Sequence, residues 1–133
     1  MLDTLSTLPS FLAFLAVSSA VLAAFVAIYV QVTPYREVAL IREGNVAAAV
    51  SLSGTLIGFA LPVANVIRNT RSLADLAIWA VVACLVQLGA YLAARFTLPH
   101  LARDIPEGKV APALFLAALS VAVGLLNAAC MEF

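Results

Sequence analysis

The sequence predicts an all-α polytopic membrane protein, with four transmembrane helices arranged as two parallel-repeat helix hairpins. Three observations predict it. Of the 133 residues, 65% are hydrophobic and 11% charged, against about half and a quarter in soluble domains. A soluble chain this short has too little polar surface to cover that much apolar area, whereas a bilayer solvates it. Four charge-free stretches approach the roughly 20 residues needed to cross a hydrocarbon core of about 30 Å. Finally, the chain matches itself at an offset of 64 residues.

The spans run in order from Phe11 to Val32, Val46 to Ile67, Leu76 to Ala94 and Val110 to Met131. The third extends to Leu73 and Phe96 if Asp75 and Arg95 reach the interfaces. The first is read as a retained span. A signal peptide has a positive n-region and a shorter apolar core, but no Lys or Arg precedes Phe11. The connections Thr33–Asn45, Arg68–Ser72 and Leu98–Lys109 are too short for a soluble domain, so consecutive spans are antiparallel neighbours. The whole chain, 1–133, reads as one transmembrane domain.

Positive charge orients the bundle. Arg36, Arg42, Arg95, Arg103 and Lys109 belong to the first and third loops, and Arg68 and Arg71 to the middle one. Five against two places the first and third loops in the cytoplasm and both termini outside. Trp79 falls near the outer boundary and Tyr29 and Tyr35 near the inner one, where an aromatic belt is expected.

The repeat is clearest where Ile41-Arg-Glu43-Gly44-Asn-Val46 aligns with Ile105-Pro-Glu107-Gly108-Lys-Val110. Eight of 21 positions match over 41–61 against 105–125. Alanine pairs carry little weight among them; the paired Ile-x-Glu-Gly turns carry most. Repeat 1 covers about 11–67 and repeat 2 about 73–131. Each unit has two helices, so both enter the membrane from the same side, related by a pseudo-two-fold along the membrane normal.

The segment Ile41–Ala49, the following Gly58-Phe-Ala-Leu-Pro62 and the closing Gly124-Leu-Leu-Asn-Ala-Ala-Cys-Met131 resemble the YjfL-type family of small bacterial inner-membrane proteins. The resemblance covers almost the whole chain. It implies a four-helix protein of the bacterial inner membrane and implies no reaction. The second copy departs from the first in having Lys109 and Pro112 where the first has Asn45 and Ala48.

Three groups of residues stand out. The second span carries a small-residue stripe with Ser51, Gly54 and Gly58, and the fourth carries Ser120 and Gly124. Lipid gives helices no hydrophobic drive to associate, so close approach through small residues must supply the contact. The stripes serve either packing within the bundle or a homo-oligomer seam. The third span carries Cys84, Gln87, Tyr91 and Arg95 at spacings that share one helix face, forming either a hydrogen-bonding seam or one wall of a polar path. Glu43 and Glu107 precede spans, where a carboxylate suits a helix N-terminus; a pseudo-two-fold makes them a symmetric pair at a mouth, able to attract a cation. Asn45 is placed to cap the second span. Asn65 and Asn127 mark the outer ends of the second and fourth spans, as helix caps or as the rim of the path.

Catalysis is not expected. The sole histidine, His100, stands without a nucleophile motif or a glycine-rich phosphate loop. Cys84 and Cys130 read as packing residues at different depths, and no metal site or cofactor is indicated. Zero net charge argues against nucleic acid as a partner. Two functions fit. One is an oligomeric channel or transporter-like protein for a cation or small polar solute, using Gln87, Tyr91, Arg95, Glu43 and Glu107. The other is a non-transporting anchor, sensor or assembly component that contacts other membrane proteins of the envelope.

Overall fold

The computed structural model describes residues 2–69 and 72–131. Arg71, one of the middle-loop charges, lies outside the described residues. All the regular structure described is helical. The order is α1 (Leu2–Val32), α2 (Glu37–Arg42), α3 (Val46–Asn69), α4 (Leu73–Thr97), α5 (Leu101–Asp104) and α6 (Val110–Cys130). Helices α1, α3, α4 and α6 are each long and apolar enough to cross a membrane.

Proline ends two of the spans. Helix α1 stops before Thr33-Pro34 and α4 before Leu98-Pro99, because proline disfavours helical conformation in the residue before it. Helix α4 is N-capped by Ser72, whose hydroxyl accepts from the Asp75 amide. Helix α1 begins well before Phe11, and Arg68 lies inside α3 rather than in the middle loop. The first and third loops each contain a helical turn, α2 and α5.

Those two turns close in the same way. Gly44 and Gly108 have φ of 88° and 81°, a left-handed conformation that glycine adopts without Cβ strain. The Gly44 amide donates to Ile41 O at 2.9 Å and Gly108 to Ile105 O at 3.0 Å. The next amides, Asn45 and Lys109, reach back to Leu40 O at 2.9 Å and Asp104 O at 3.0 Å. This is the paired hydrogen bonding of a Schellman C-cap.

The entries to α3 and α6 then differ in a compensated way. Asn45 Oδ1 accepts from the Ala48 amide at 3.0 Å. At the matching positions Lys109 offers no side-chain cap, and Pro112 has no amide that needs one.

Helix α3 is central and packs on α6, α4, α1 and α2. The α3–α6 contact is the most intimate because small residues form it. A Cβ on Gly54 would strike Ala117, and one on Gly58 would strike the Ser120 backbone. Ser51, Gly54, Gly58, Ser120 and Gly124 are all buried within the single chain. Helix α1 is the least embedded and buries Phe25 and Tyr29. The Phe25 and Phe59 rings stack with centroids 4.2 Å apart. Tyr29 and Tyr35 are buried in the protein interior rather than placed at a lipid boundary, and the Tyr29 hydroxyl meets Thr55 of α3. Large apolar side chains such as Leu85, Phe96 and Leu126 face outward, as a lipid-solvated surface allows.

Candidate functional site

Buried polar groups form a ladder through the bundle. At its foot is Glu37, the first residue of α2, with no solvent exposure at all. Thr33 Oγ1 donates to Glu37 Oε1 at 2.8 Å, while Glu37 Oε2 has no partner. Burial pushes the Glu37 carboxyl up to about 7, and the Thr33 hydrogen bond pulls the other way. The neighbouring Tyr35 phenol is driven above its usual range by burial, with Tyr29, Glu37 and Tyr91 adding to the effect. The hydroxyls of Tyr35 and Tyr91 are both buried without hydrogen-bond partners.

Higher up, the Tyr91 ring meets Tyr29 edge-on, centroids 5.6 Å apart. Thr55 Oγ1 lies 3.3 Å from Tyr29 Oη and 3.5 Å from Ser120 Oγ, and donates to Ser51 O at 2.9 Å. Gln87, also fully buried, donates from Nε2 to Gly58 O at 2.9 Å. Its Oε1 is unpartnered. The third-span line therefore splits by environment. Gln87 and Tyr91 are interior, Cys84 is a half-buried free thiol, and Arg95 is exposed at the last turn of α4 within electrostatic reach of Tyr91.

Glu43 and Glu107 are both exposed. Asn45 joins their turns, donating from Nδ2 to Ile105 O at 3.1 Å and Pro106 O at 3.2 Å. A shallow groove of about 440 Å³ lies between the turns, with both glutamates and both glycines in its wall. Lys109 sits 3.4 Å from Asp104 and 3.5 Å from Glu107, so one of the two glutamates has a cation beside it. At the opposite end, Asn65 of α3 donates to Ala128 O at 2.7 Å and Met131 O at 3.2 Å. It satisfies the carbonyls that end α6, not those of its own helix. Asn127 is half-buried, and its Nδ2 has no partner.

Comparison with known proteins adds the family. Residues 3–131 match the model of the domain of unknown function DUF350. The chain belongs to the DUF350 family. It is 33% identical over 129 residues to the UPF0719 inner membrane protein YjfL of Escherichia coli strain K12, covering 97% of this chain and 98% of that one. The YjfL protein of Escherichia coli O157:H7 matches to the same extent. No solved structure matches.

For a DUF350 chain with four spanning helices, the ladder is the most unusual chemistry present. A polar side chain inside a membrane bundle needs a reason to be there. Among the described residues there is no cluster of His, Cys, Asp or Glu able to hold a metal ion. The ladder can hold a proton, orient a polar guest or rigidify the bundle by hydrogen bonding. Reading the sequence as loops and spans missed its foot, because Glu37 stands between Arg36 and Arg42 and looks solvated. The repeat held a usable signal. At the 64-residue offset Glu37 aligns with Leu101, and both are completely buried.

Proposed function

We propose that this DUF350 protein is a bacterial inner-membrane protein of the transport class, handling a cation or small polar solute as a homo-oligomer, with both termini outside. The observation that supports this reading is the ladder itself: Glu37, Tyr91, Tyr29, Thr55, Ser120 and Gln87 carry polar atoms from the loop end to the middle of α3 and α6. Such residues are expensive in hydrocarbon, and in membrane proteins they mark ion and substrate pathways. Glu43 and Glu107 would supply negative charge at the mouth on the loop side, with Arg95 beside it. The 64-residue repeat would then be two half-units packed through α3 and α6, related by a pseudo-two-fold.

One observation favours a second class, a non-transporting sensor or assembly component. Gln87 and Tyr91 are fully buried within a single chain, and the α3–α6 seam is closed by backbone contact at Gly58 and Gly124. Transport therefore requires either a second arrangement of the helices or a path shared between copies.

Flux of monovalent and small organic cations into liposomes carrying the purified protein decides between them. The transport reading expects flux above that of empty vesicles, reduced in Gln87→Leu and in the double variant Glu43→Gln/Glu107→Gln. Folded, inserted protein without flux supports the sensor or assembly reading.

A further inference from the structure

We propose that Glu37 is a proton-binding site, a carboxyl sealed at the loop end of the bundle that takes up and releases a proton while the helices stay in place. The inference holds whether or not the protein conducts.

Three observations carry it. Glu37 is completely buried, yet among the described residues no cation is paired with it. A buried carboxylate without a counter-charge lowers its free energy by protonation. Its two oxygens are differentiated. Oε1 accepts from Thr33, and Oε2 is free to carry the hydrogen. The groups around it are phenols. Tyr35 and Tyr91 hold two buried hydroxyls without partners, and Tyr29 is also within electrostatic reach of the carboxyl. Arg95 of α4 is exposed and acts on Tyr91.

A route to solvent adjoins the site. A surface groove of about 300 Å³, lined by Val30, Arg36, Glu37, Val38, Ala39 and Arg42, reaches this residue from outside. Its two arginines disfavour a metal cation in the groove, whereas a proton can be relayed by water. Binding is simple in balance: a solvent proton forms an O–H bond on Oε2, and the site passes from −1 to neutral. A lone carboxylate among phenols matches a proton better than an alkali metal ion, which needs several converging oxygens.

The test is infrared difference spectroscopy of the full chain in liposomes, titrated from acid to alkaline pH and repeated in potassium- or sodium-free buffer. The expected result is a protonated-carboxyl band that titrates near neutrality, is absent in Glu37→Gln and has a midpoint independent of alkali ions. Thr33→Val guards against a misfolded Glu37→Gln. It removes the hydrogen bond that favours the ionised form, and moves the midpoint up by about one pH unit. No titrating band, a band unchanged in Glu37→Gln, or a midpoint unmoved in Thr33→Val overturns the proposal. A midpoint that falls as potassium or sodium is added overturns the proton as the occupant in favour of a metal cation.

Discussion

Gln87 Nε2 lies 2.9 Å from the carbonyl oxygen of Gly58, the carbonyl that Pro62, four residues on in the same helix, cannot serve. Proline has no amide hydrogen, so α3 carries a missing rung where α6 presses against it. In water such a carbonyl would be solvated; in hydrocarbon it needs a partner from the protein. The glutamine of α4 supplies it. The position of Gln87 is thus explained by main-chain accounting as well as by any part in a path.

That pairing predicts a non-additive double-mutant cycle. Gln87→Leu leaves the Gly58 carbonyl buried without a donor and should destabilise the protein by about 1–3 kcal/mol in unfolding titrations from mixed micelles. Pro62→Ala restores the helical amide. Combined with Gln87→Leu, it should recover most of the loss. If the double variant is as unstable as the sum of the two single ones, the two residues are not coupled through that carbonyl.

The seam between α3 and α6 predicts a contrast between glycines. A Cβ on Gly124 would strike the Gly58 carbonyl oxygen and lie 2.7 Å from Gly58 Cα. Backbone cannot yield as a side chain can, so Gly124→Ala should push the helices apart and cost about 2 kcal/mol or more, as overpacking does. Gly89 on α4 has nothing within 4 Å of its added Cβ. Gly89→Ala should be neutral or slightly stabilising, within about 1 kcal/mol. Thermal unfolding in one detergent compares them, and equal effects would dissociate stability from the seam.

The spans were legible because length and hydropathy are read one residue at a time. The turns at Gly44 and Gly108 were legible because the same backbone geometry demands the same glycine twice. Partnership was harder to read. Asn65 was placed at an end of its own helix, but whose carbonyls it meets depends on how α3 and α6 are staggered, which the sequence does not encode locally. Depth along the chain sets Tyr29 and Tyr35 at a lipid boundary, and depth says nothing of which way a ring turns. Glu37 is hard to read from sequence because a carboxylate in an arginine-bearing loop is ordinarily solvated. Only Leu101, its counterpart one repeat away, signals that the position is interior.

Asn45 joins two tasks that substitution can separate. Its Oδ1 caps α3, and its Nδ2 bridges to the turn before α6. Asn45→Asp keeps the acceptor and loses the donor, while Asn45→Ala loses both. The aspartate variant should retain α3 capping but loosen the junction of the two turns. Amide hydrogen exchange would then quicken around residues 105–109 while the start of α3 stays protected. The alanine variant should expose both and cost about 1–2 kcal/mol. Equal exchange in the two variants would assign Asn45 to capping alone.

The raised Glu37 carboxyl predicts the sign of the pH dependence of stability. Burial takes it from 4.5 to about 7 in the folded protein. Below the lower value both folded and unfolded states hold the proton, and burial carries no charge penalty. Between the two values the unfolded chain has released its proton while the folded chain retains it. The folded state then binds more protons, and stability falls as pH rises. Above about 7 the folded carboxyl ionises and the full loss, on the order of 3 kcal/mol, is present. Thermal unfolding at pH 5 and pH 8.5 should therefore find the protein more stable in acid. Glu37→Gln carries a neutral amide in the same space and should flatten that difference, chiefly by stabilising the protein at the higher pH. A slope that persists in Glu37→Gln would assign the titration to another group.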